Sequence, residues 1–337
     1  MISFKRFLAI LKARNLEFFR DKASLSWSII FPVLLLVGFA FVFSDDDKSI
    51  YKVGVLNNTE QGSDFKQLKY LEFIDYQQQE QALNKLRQHK IDLLFDAKDV
   101  TYWINDTSPN GYIVEQLLLG HDQVGWQKET VTGRQIRYLD WVVPGILGMN
   151  MMFSCLFGVG YVIVRYRKSM VLKRLNATPV TALEFLLAQI TSRLFIVMFI
   201  SSFIFVGCNF LFDFYMLGSY LDLFIIAVLG AFALISLGLF IASRSQSEEL
   251  TGGLLNLATW PMMVFSGVWF SLEGSPEIIQ QIAWLFPLTH LVEGARSVMT
   301  EGATLIDIGD HIALLSVMIV IFLSIGTWSF KWNGDGR

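Results

Sequence analysis

The stretch VIVRYRKSMVLKRLNATPVTALEFLLAQ, residues 162–189, decides the fold because it places a basic segment between two long apolar runs. Five cations lie between Arg165 and Arg174, and no acidic residue follows until Glu184. Each apolar run is long enough to cross a bilayer as a helix, which takes about 20 residues. The basic segment is therefore expected at one face of a membrane or against a negatively charged partner.

The composition agrees with a membrane protein. The chain of 337 residues is 53% hydrophobic and 17% charged, and its mean hydropathy is +0.46. Soluble globular proteins rarely combine these values. A net charge of -3 gives no indication of nucleic acid as a partner. Cys155 and Cys208 both lie in apolar runs, which favours small hydrophobic side chains over a metal site or a disulfide.

Hydropathy patterning predicts a polytopic α-helical membrane protein with six transmembrane helices. The first is expected over residues 25–43, and the other five lie within residues 141–337. Their apolar runs cover residues 141–164, 185–212, 223–242, 254–270 and 312–330. Residues 1–24 form a basic amphipathic segment without a cleavage site, which predicts a retained interface helix at the cytoplasmic face.

The distribution of charge predicts the orientation, because loops rich in Lys and Arg stay in the cytoplasm. The first 24 residues carry six cations and two acids, whereas the connector around Asp213 and Asp222 and the stretch before the last span are mainly acidic. Both termini and the basic segment are therefore expected in the cytoplasm. Residues 44–140 are expected outside it.

Residues 44–140 are polar and numerous enough for a small extracytoplasmic α/β domain. Aromatic and branched residues predict three strands, and helical spacing predicts two helices, the second of which is expected to lead into the next span. The strands are YKVGVL, IDLLFD and VTYWIND, and the helices are QQQEQALNKLRQHK and GYIVEQLLLGHDQVGWQ.

The common catalytic and nucleotide-binding motifs do not occur in the sequence. G-x-x-x-x-G-K-[ST], H-E-x-x-H and G-x-S-x-G are all missing, and the four histidines are scattered. Neither Asp45–Asp47 nor His121 with Asp122 has a second cluster at ligand spacing. Arg193 is the clear ionisable residue within the spans, which disfavours an ion-coupled carrier. We therefore expect no enzyme, and any transport would take its energy from a partner.

The basic segment allows two interpretations. Asn176 or Thr178 could cap a helix whose first turn contains Pro179 and which continues past Glu184. In the first interpretation, a short helix at the cytoplasmic face lets a soluble partner push on two spans. In the second, which charge alone favours, the loop only fixes the topology and touches anionic lipid.

Three parts of the chain resemble the type-2 permease family of ATP-binding-cassette (ABC) exporters, in the subgroup with a large outer domain after the first span. The basic segment matches the family pattern RL-x-x-TP-x-x-x-x-E at Leu175, Thr178, Pro179 and Glu184. IIQQIAWLFPLTHLVEGARSVM is similar to the outer re-entrant hairpin of the family. KVGVLNN and YWINDTSPNG are similar to parts of its outer domain.

The resemblance implies the membrane-spanning subunit of an ATP-driven exporter in the bacterial cytoplasmic (inner) membrane. Two permeases, identical or different, would pair, and ATP and Mg²⁺ would bind to separate cytosolic ABC ATPase subunits, with no cofactor on this chain. The substrate would be hydrophobic or amphipathic, such as a lipid or a drug. The outer domain could contact a periplasmic adaptor or cap the exit. A membrane-anchored sensor and a lipid-modifying membrane protein remain as alternatives.

The resemblance also places the coupling helix at about residues 166–180. Many members carry an acidic residue and Gly-Thr where this chain has the sequence from Arg167 to Met170, so the docking contacts could differ in charge. The residues assigned to ATPase coupling are Arg167, Lys168, Lys173, Arg174, Leu175, Thr178, Pro179 and Glu184.

Two further regions are candidates for the path and its outer exit. Pro261 should kink or open the fifth span. The aromatic residues around it could line or gate the path, although packing or an interfacial belt explains any one of them equally well. These are Trp260, Phe265 and Trp269.

The outer hairpin is expected at about residues 275–300. Each half is too short to cross a bilayer, so the pair should enter the outer leaflet and return. It breaks at Pro287, and Glu293 and Arg296 can pair on one helical face. We expect this hairpin to close the outer exit.

Overall fold

In a computed structural model, the chain divides into two compact units, Phe43–Tyr138 and the combination of Met1–Val42 with Leu139–Arg337. The structure describes residues 3–42, 51–57, 65, 68–121, 125–133, 136–243, 245, 247–272 and 275–330. The Asp45–Asp47 cluster and the side chains of His121 and Asp122 lie outside this part of the chain.

The larger unit, called the membrane unit below, is helical. It begins with α1 (Phe4–Arg20) and α2 (Lys22–Val42), and the smaller unit contributes α3 (Gln79–Arg87) and α4 (Pro109–His121). The rest of the membrane unit contains α5 (Tyr138–Lys168), α6 (Val171–Asn176), α7 (Ala182–Phe212), α8 (Tyr220–Ala242), α9 (Glu248–Phe265), α10 (Glu277–Ala283), α11 (Pro287–Arg296), a π-helical turn (Ser297–Glu301) and α12 (Gly309–Trp328).

Five of the described helices are long and apolar enough to cross a membrane. They are α2 over Lys22–Ala40, α5, α7, α8 and α12. The prediction of a polytopic helical membrane protein is thus confirmed. The remaining predicted span corresponds to α9, which starts with Glu248 and Glu249, contains Pro261 and is not among these five.

Helix α5 lies at the centre of the membrane unit. Its buried side chains, among them Met152 and Leu156, share one apolar core with residues of α7, α8, α9 and α11. Close approach of the helices depends on glycine. A Cβ atom on Gly145 would lie 2.5 Å from the carbonyl oxygen of Val268, and one on Gly238 would lie 3.1 Å from the backbone of Leu156. Larger residues at these positions would push the neighbouring backbone away from α5.

The smaller unit is an α/β fold around a five-stranded sheet. The strands are β1 (Tyr51–Leu56), β2 (Leu71–Tyr76), β3 (Leu93–Asp96), β4 (Thr101–Asn105) and β5 (Gln127–Val131), in the order β2-β1-β3-β4-β5. Only β3 and β4 pair antiparallel among these strands. Alternation along the strands buries both faces. Val55 and Phe95 pack with Leu118 of α4, while Leu94 packs with Leu86 of α3.

The three predicted strands are present, and two others were missed. Both missed strands, β2 and β5, form the edges of the sheet. Four of the five residues of β5 are exposed, so this strand lacks the apolar alternation that identifies a strand. The second predicted helix is too long, because α4 ends at His121 and Gln127 begins β5. That helix therefore does not lead directly into α5.

Candidate functional site

The basic segment between α5 and α7 folds as a short helix between two turns. Helix α5 ends at Lys168, and Met170 adopts a left-handed conformation with φ of 60° that redirects the chain into α6. Leu172 faces the core, whereas Lys173 and Arg174 are exposed on the same helix. The predicted short helix is therefore present over Val171–Asn176, and two of its predicted coupling cations are accessible.

The predicted caps of the next helix are wrong. Thr181 caps α7, since its hydroxyl accepts from the Glu184 amide at 3.2 Å while the Glu184 carboxylate accepts from the Thr181 amide at 2.9 Å. This reciprocal capping box satisfies two amides, which neither Asn176 nor Thr178 does. The Thr178 hydroxyl instead donates to the Leu175 carbonyl. Pro179 lies in the turn before α7, not in its first turn.

Glu184 also anchors α1 to the start of α7. Its side chain is fully buried, accepts a hydrogen bond from the Ser3 amide and lies 3.0 Å from Nη2 of Arg6. Arg6 donates a further hydrogen bond to the carbonyl of Pro179. The N-terminal helix is therefore attached to the turn that follows α6.

A second ionic cluster joins α1 to the end of α5. The Glu17 carboxylate lies 2.6 Å from Nη1 of Arg14 and 2.9 Å from Nη2 of Arg165, and it accepts from the Tyr166 hydroxyl. Burial alone would raise the pKa of Glu17, but the Tyr166 hydroxyl and the two guanidinium groups hold this pKa below its usual value of 4.5. Glu17 therefore remains ionised at neutral pH.

Arg167 does not lie on the exposed surface expected of a docking cation. Its side chain is buried and donates to the carbonyls of Ala242 and Ser243 at the end of α8, and also to the carbonyl of Ser245 beyond this end. Those carbonyls have no partner within the helix, and a cation suits the negative end of the helix dipole. Lys168 is exposed and lies 3.7 Å from Glu248. Arg167 thus fixes α5 to α8, while Lys168 reaches α9.

At the other end of α5, Arg296 joins three elements. Its guanidinium lies 3.8 Å from the centre of the Trp141 ring and donates to the carbonyls of Trp141 and Gly267. The predicted break at Pro287 is present, because α10 ends at Ala283 and Pro287 begins α11. Pairing of Glu293 with Arg296 stays a prediction.

Two histidines that are distant in sequence meet beside this hairpin. Nδ1 of His290 in α11 lies 3.0 Å from Nδ1 of His311 in α12, and Nε2 of His290 lies 2.9 Å from the Trp284 carbonyl. The histidines are scattered along the sequence, but the fold brings these two together. Their separation of 21 positions hides the contact in the sequence. Within the described residues, no group of three or more His, Cys, Asp or Glu could hold a metal ion.

The predicted path residues occupy different environments. Trp260 is exposed on α9, and Phe265 and Pro261 are half-buried on the same helix. Trp269 follows α9 and stacks on Phe39 of α2, with ring centres 5.6 Å apart. Helix α9 continues through Pro261 to Phe265. A role of these residues in gating stays a prediction.

Comparison with known proteins agrees with this architecture. The sequence model of the family described as ABC-2 family transporter protein matches residues 22–328. The probable multidrug ABC transporter permease YbhS of Escherichia coli K12 is 21% identical over 367 aligned positions, which cover 97% of each chain. The inner membrane transport permease YhhJ of the same strain is 29% identical over 43% of this chain and 39% of its own. Nodulation protein J of Rhizobium leguminosarum bv. viciae is 32% identical over 31% of this chain and 39% of its own.

Proposed function

Because this chain belongs to the ABC-2 family of transporter proteins, we propose that it is the membrane-spanning subunit of an ATP-driven exporter. Separate cytosolic ABC ATPase subunits bind ATP and Mg²⁺ and dock on the segment of residues 166–180. A second permease, identical or different, completes the path. The substrate is hydrophobic or amphipathic, such as a drug or a lipid, and the relative YbhS carries the name of a probable multidrug permease.

One observation carries this proposal: the exposed cations of α6 lie on a segment that is attached to several membrane helices. Lys173 and Arg174 face solvent, while the turn after α6 is bound to α1 through Arg6 and Glu184. The end of α5 before it is bound to α8 through Arg167. A force applied by a partner at α6 would therefore act on several helices together.

The contacts also support the proposed topology. Helix α1 touches the 166–180 segment, so both lie on one side of the membrane. Since α2 and α5 each cross once, the residues between these spans lie on the other side. The excess of Lys and Arg in α1 and in this segment assigns their side to the cytoplasm. The α/β unit is then extracytoplasmic, where it could meet a periplasmic adaptor.

Helix α9 supplies the proposed sixth span. Glu248 at its start is paired with Lys168 at the cytoplasmic end of α5. Gly267, just after its end, is bound through Arg296 to Trp141 at the opposite end of α5. The helix has 18 residues and a length of about 27 Å, which nearly equals the hydrocarbon thickness of a bilayer. The hairpin of α10 and α11 then lies at the outer face.

Purification of the tagged chain from its native membrane in mild detergent tests the proposal. We expect an ABC ATPase subunit to co-purify, and the double variant Lys173→Glu, Arg174→Glu to lose it because the docking surface changes sign. The control variant Lys85→Glu, Arg87→Glu makes the same charge change on α3 and should retain the ATPase. Recovery of the unaltered chain without any ATPase would contradict the proposed partnership. Equal loss from both variants would contradict docking at α6.

A further inference from the structure

A cavity of about 640 Å³ opens between α1, α2, α5 and α7 of the membrane unit. Aromatic rings form much of its wall. Trp27 and Phe31 of α2 stack with ring centres 5.7 Å apart, and Phe153 and Phe157 of α5 stack at 5.8 Å. These rings provide an apolar surface that fits a hydrocarbon chain.

Arg193 lines the same cavity from α7 and is the least compensated charge in it. It is 9% exposed, and its Nε and Nη2 atoms donate to the carbonyl and hydroxyl oxygens of Ser154. Within the described residues it forms no ion pair, and its Nη1 atom is neither fully enclosed nor hydrogen-bonded. Arg193 lies 11 positions after Ala182, about 16 Å along α7. A cation at this depth normally binds an anion or marks a substrate pathway.

Asn150 is a second polar group that faces the cavity without a partner. It is 8% exposed, lines the cavity from α5 and forms no hydrogen bond within the described residues. Buried amides are normally hydrogen-bonded. Ser154 and Gly158 lie one and two turns further along the same face of α5. A Cβ atom on Gly158 would lie 1.9 Å from Cζ of Arg193, so only glycine leaves room for the guanidinium.

The other charges at the cavity are already engaged. Arg14 and Arg165 both contact Glu17, and the Asp21 carboxylate accepts from the amide and hydroxyl of Ser24. Arg193 therefore carries the positive charge that has no carboxylate partner within the described residues, and its Cζ atom lies 5.5 Å from the centre of the Phe18 ring in the cavity wall.

We propose that this cavity binds an amphipathic anion. Nη1 of Arg193 and the Asn150 amide donate to its phosphate or carboxylate headgroup, and the aromatic wall holds its hydrocarbon chain. As a statement about what the transporter handles, this rests on the proposed function. The binding itself requires no ATPase, so the two proposals fail independently.

The probe is radiolabelled dodecyl phosphate, added to the purified full chain in nanodiscs of phosphatidylcholine. We expect saturable binding that Arg193→Met weakens about tenfold, the loss typical of one charged hydrogen bond. Arg193→Lys, which keeps the charge, should lose less. Gly158→Ala should also weaken binding although no charge is removed, because it displaces the guanidinium. Arg20→Met, which removes an exposed arginine of α1 that does not line the cavity, is the matched control and should bind as the unaltered chain does.

Competition experiments test whether the cavity recognises the anionic headgroup, the hydrocarbon chain or both. Inorganic phosphate and dodecyltrimethylammonium should each displace the probe at least tenfold less well than unlabelled dodecyl phosphate. Equal displacement by phosphate would reduce the cavity to an anion site, and equal displacement by the cationic amphiphile would reduce it to an apolar groove. Unchanged binding to Arg193→Met, in a variant that still recovers the ATPase subunit, would overturn the proposal while leaving the proposed function intact.

Discussion

Three arginines of the membrane unit bind backbone carbonyls, of which Arg167 and Arg193 are buried and Arg296 is half-buried. Arg167 binds the end of α8, Arg193 binds the Ser154 carbonyl inside α5, and Arg296 binds the carbonyls of Trp141 and Gly267. A guanidinium group has five N–H donors in a fixed plane, so one side chain can satisfy several carbonyls at once. Each of these arginines therefore joins helices while its charge stays hydrogen-bonded.

The Arg167 contacts lead to a stability prediction. Arg167→Met should lower the free energy of unfolding by about 1.5–3 kcal/mol, because the carbonyls at the end of α8 lose a charged donor. Titration of the purified chain with sodium dodecyl sulfate in maltoside micelles measures this change. Lys168→Met alters the neighbouring exposed cation and should cost under about 1 kcal/mol. If Arg167→Met lowered the free energy of unfolding no more than Lys168→Met does, the prediction for the buried contacts would be wrong.

At the scale of elements, α1 is held at both ends by carboxylates. Glu184 of α7 binds its first turn, and its own Glu17 binds Arg165 and Tyr166 near the end of α5. The helix thus bridges the two spans that flank the basic segment. Motion of α6 would therefore be transmitted to α1 through fixed contacts.

The Glu17 cluster leads to a pH prediction. The folded state lowers the pKa of Glu17 below 4.5, so folding gains stability from this group above pH 4.5 and loses it as the pH falls through the folded pKa. The thermal unfolding midpoint of the purified chain should therefore exceed that of Glu17→Gln at pH 7. The difference should shrink below pH 4.5. A difference that is constant from pH 7 to pH 4 would contradict the assignment to Glu17 ionisation.

At the scale of the whole molecule, the contacts of α5 define two ends. Arg167 and Lys168 mark one end, and Trp141 marks the other, where Arg296 joins the hairpin to the turn after α9. Neighbouring Asp140 accepts a hydrogen bond from the Tyr215 amide of the connector between α7 and α8. Hydrogen bonds thus assign connectors of the membrane unit to one end of α5 or the other, as the charges of the connectors also do.

This arrangement predicts which sites a membrane-impermeant maleimide reaches in spheroplasts. The two native cysteines are buried and should give little background. Arg87→Cys and Gln280→Cys should be labelled from outside, whereas Arg174→Cys and Glu248→Cys should need permeabilised cells. Labelling of Gln280→Cys and Glu248→Cys from the same side would show that α9 does not cross.

Much of the fold could be predicted from local sequence. Apolar runs identified the five described helices that are long and apolar enough to cross a membrane, and branched or aromatic runs identified the central strands of the α/β unit. The edge strands β2 and β5 were not predicted, because an edge strand pairs on one side only and β5 carries few apolar residues. The Thr-x-x-Glu spacing of Thr181 and Glu184 was a usable signal for the start of α7. The prediction placed this start too early because it assigned Pro179 to the first turn.

The sequence alone indicated a polytopic helical membrane protein and showed which segments are apolar and which loops are basic, because hydropathy and charge are sums over neighbouring residues. Only the tertiary structure decided that Arg167 is buried while Lys168 is exposed, that His290 meets His311, and that Arg193 shares a cavity with Asn150. In an interior of low dielectric constant, the partner of a polar group depends on which distant atom comes within about 3 Å. Local sequence does not contain that distance, because the packing of helices sets it.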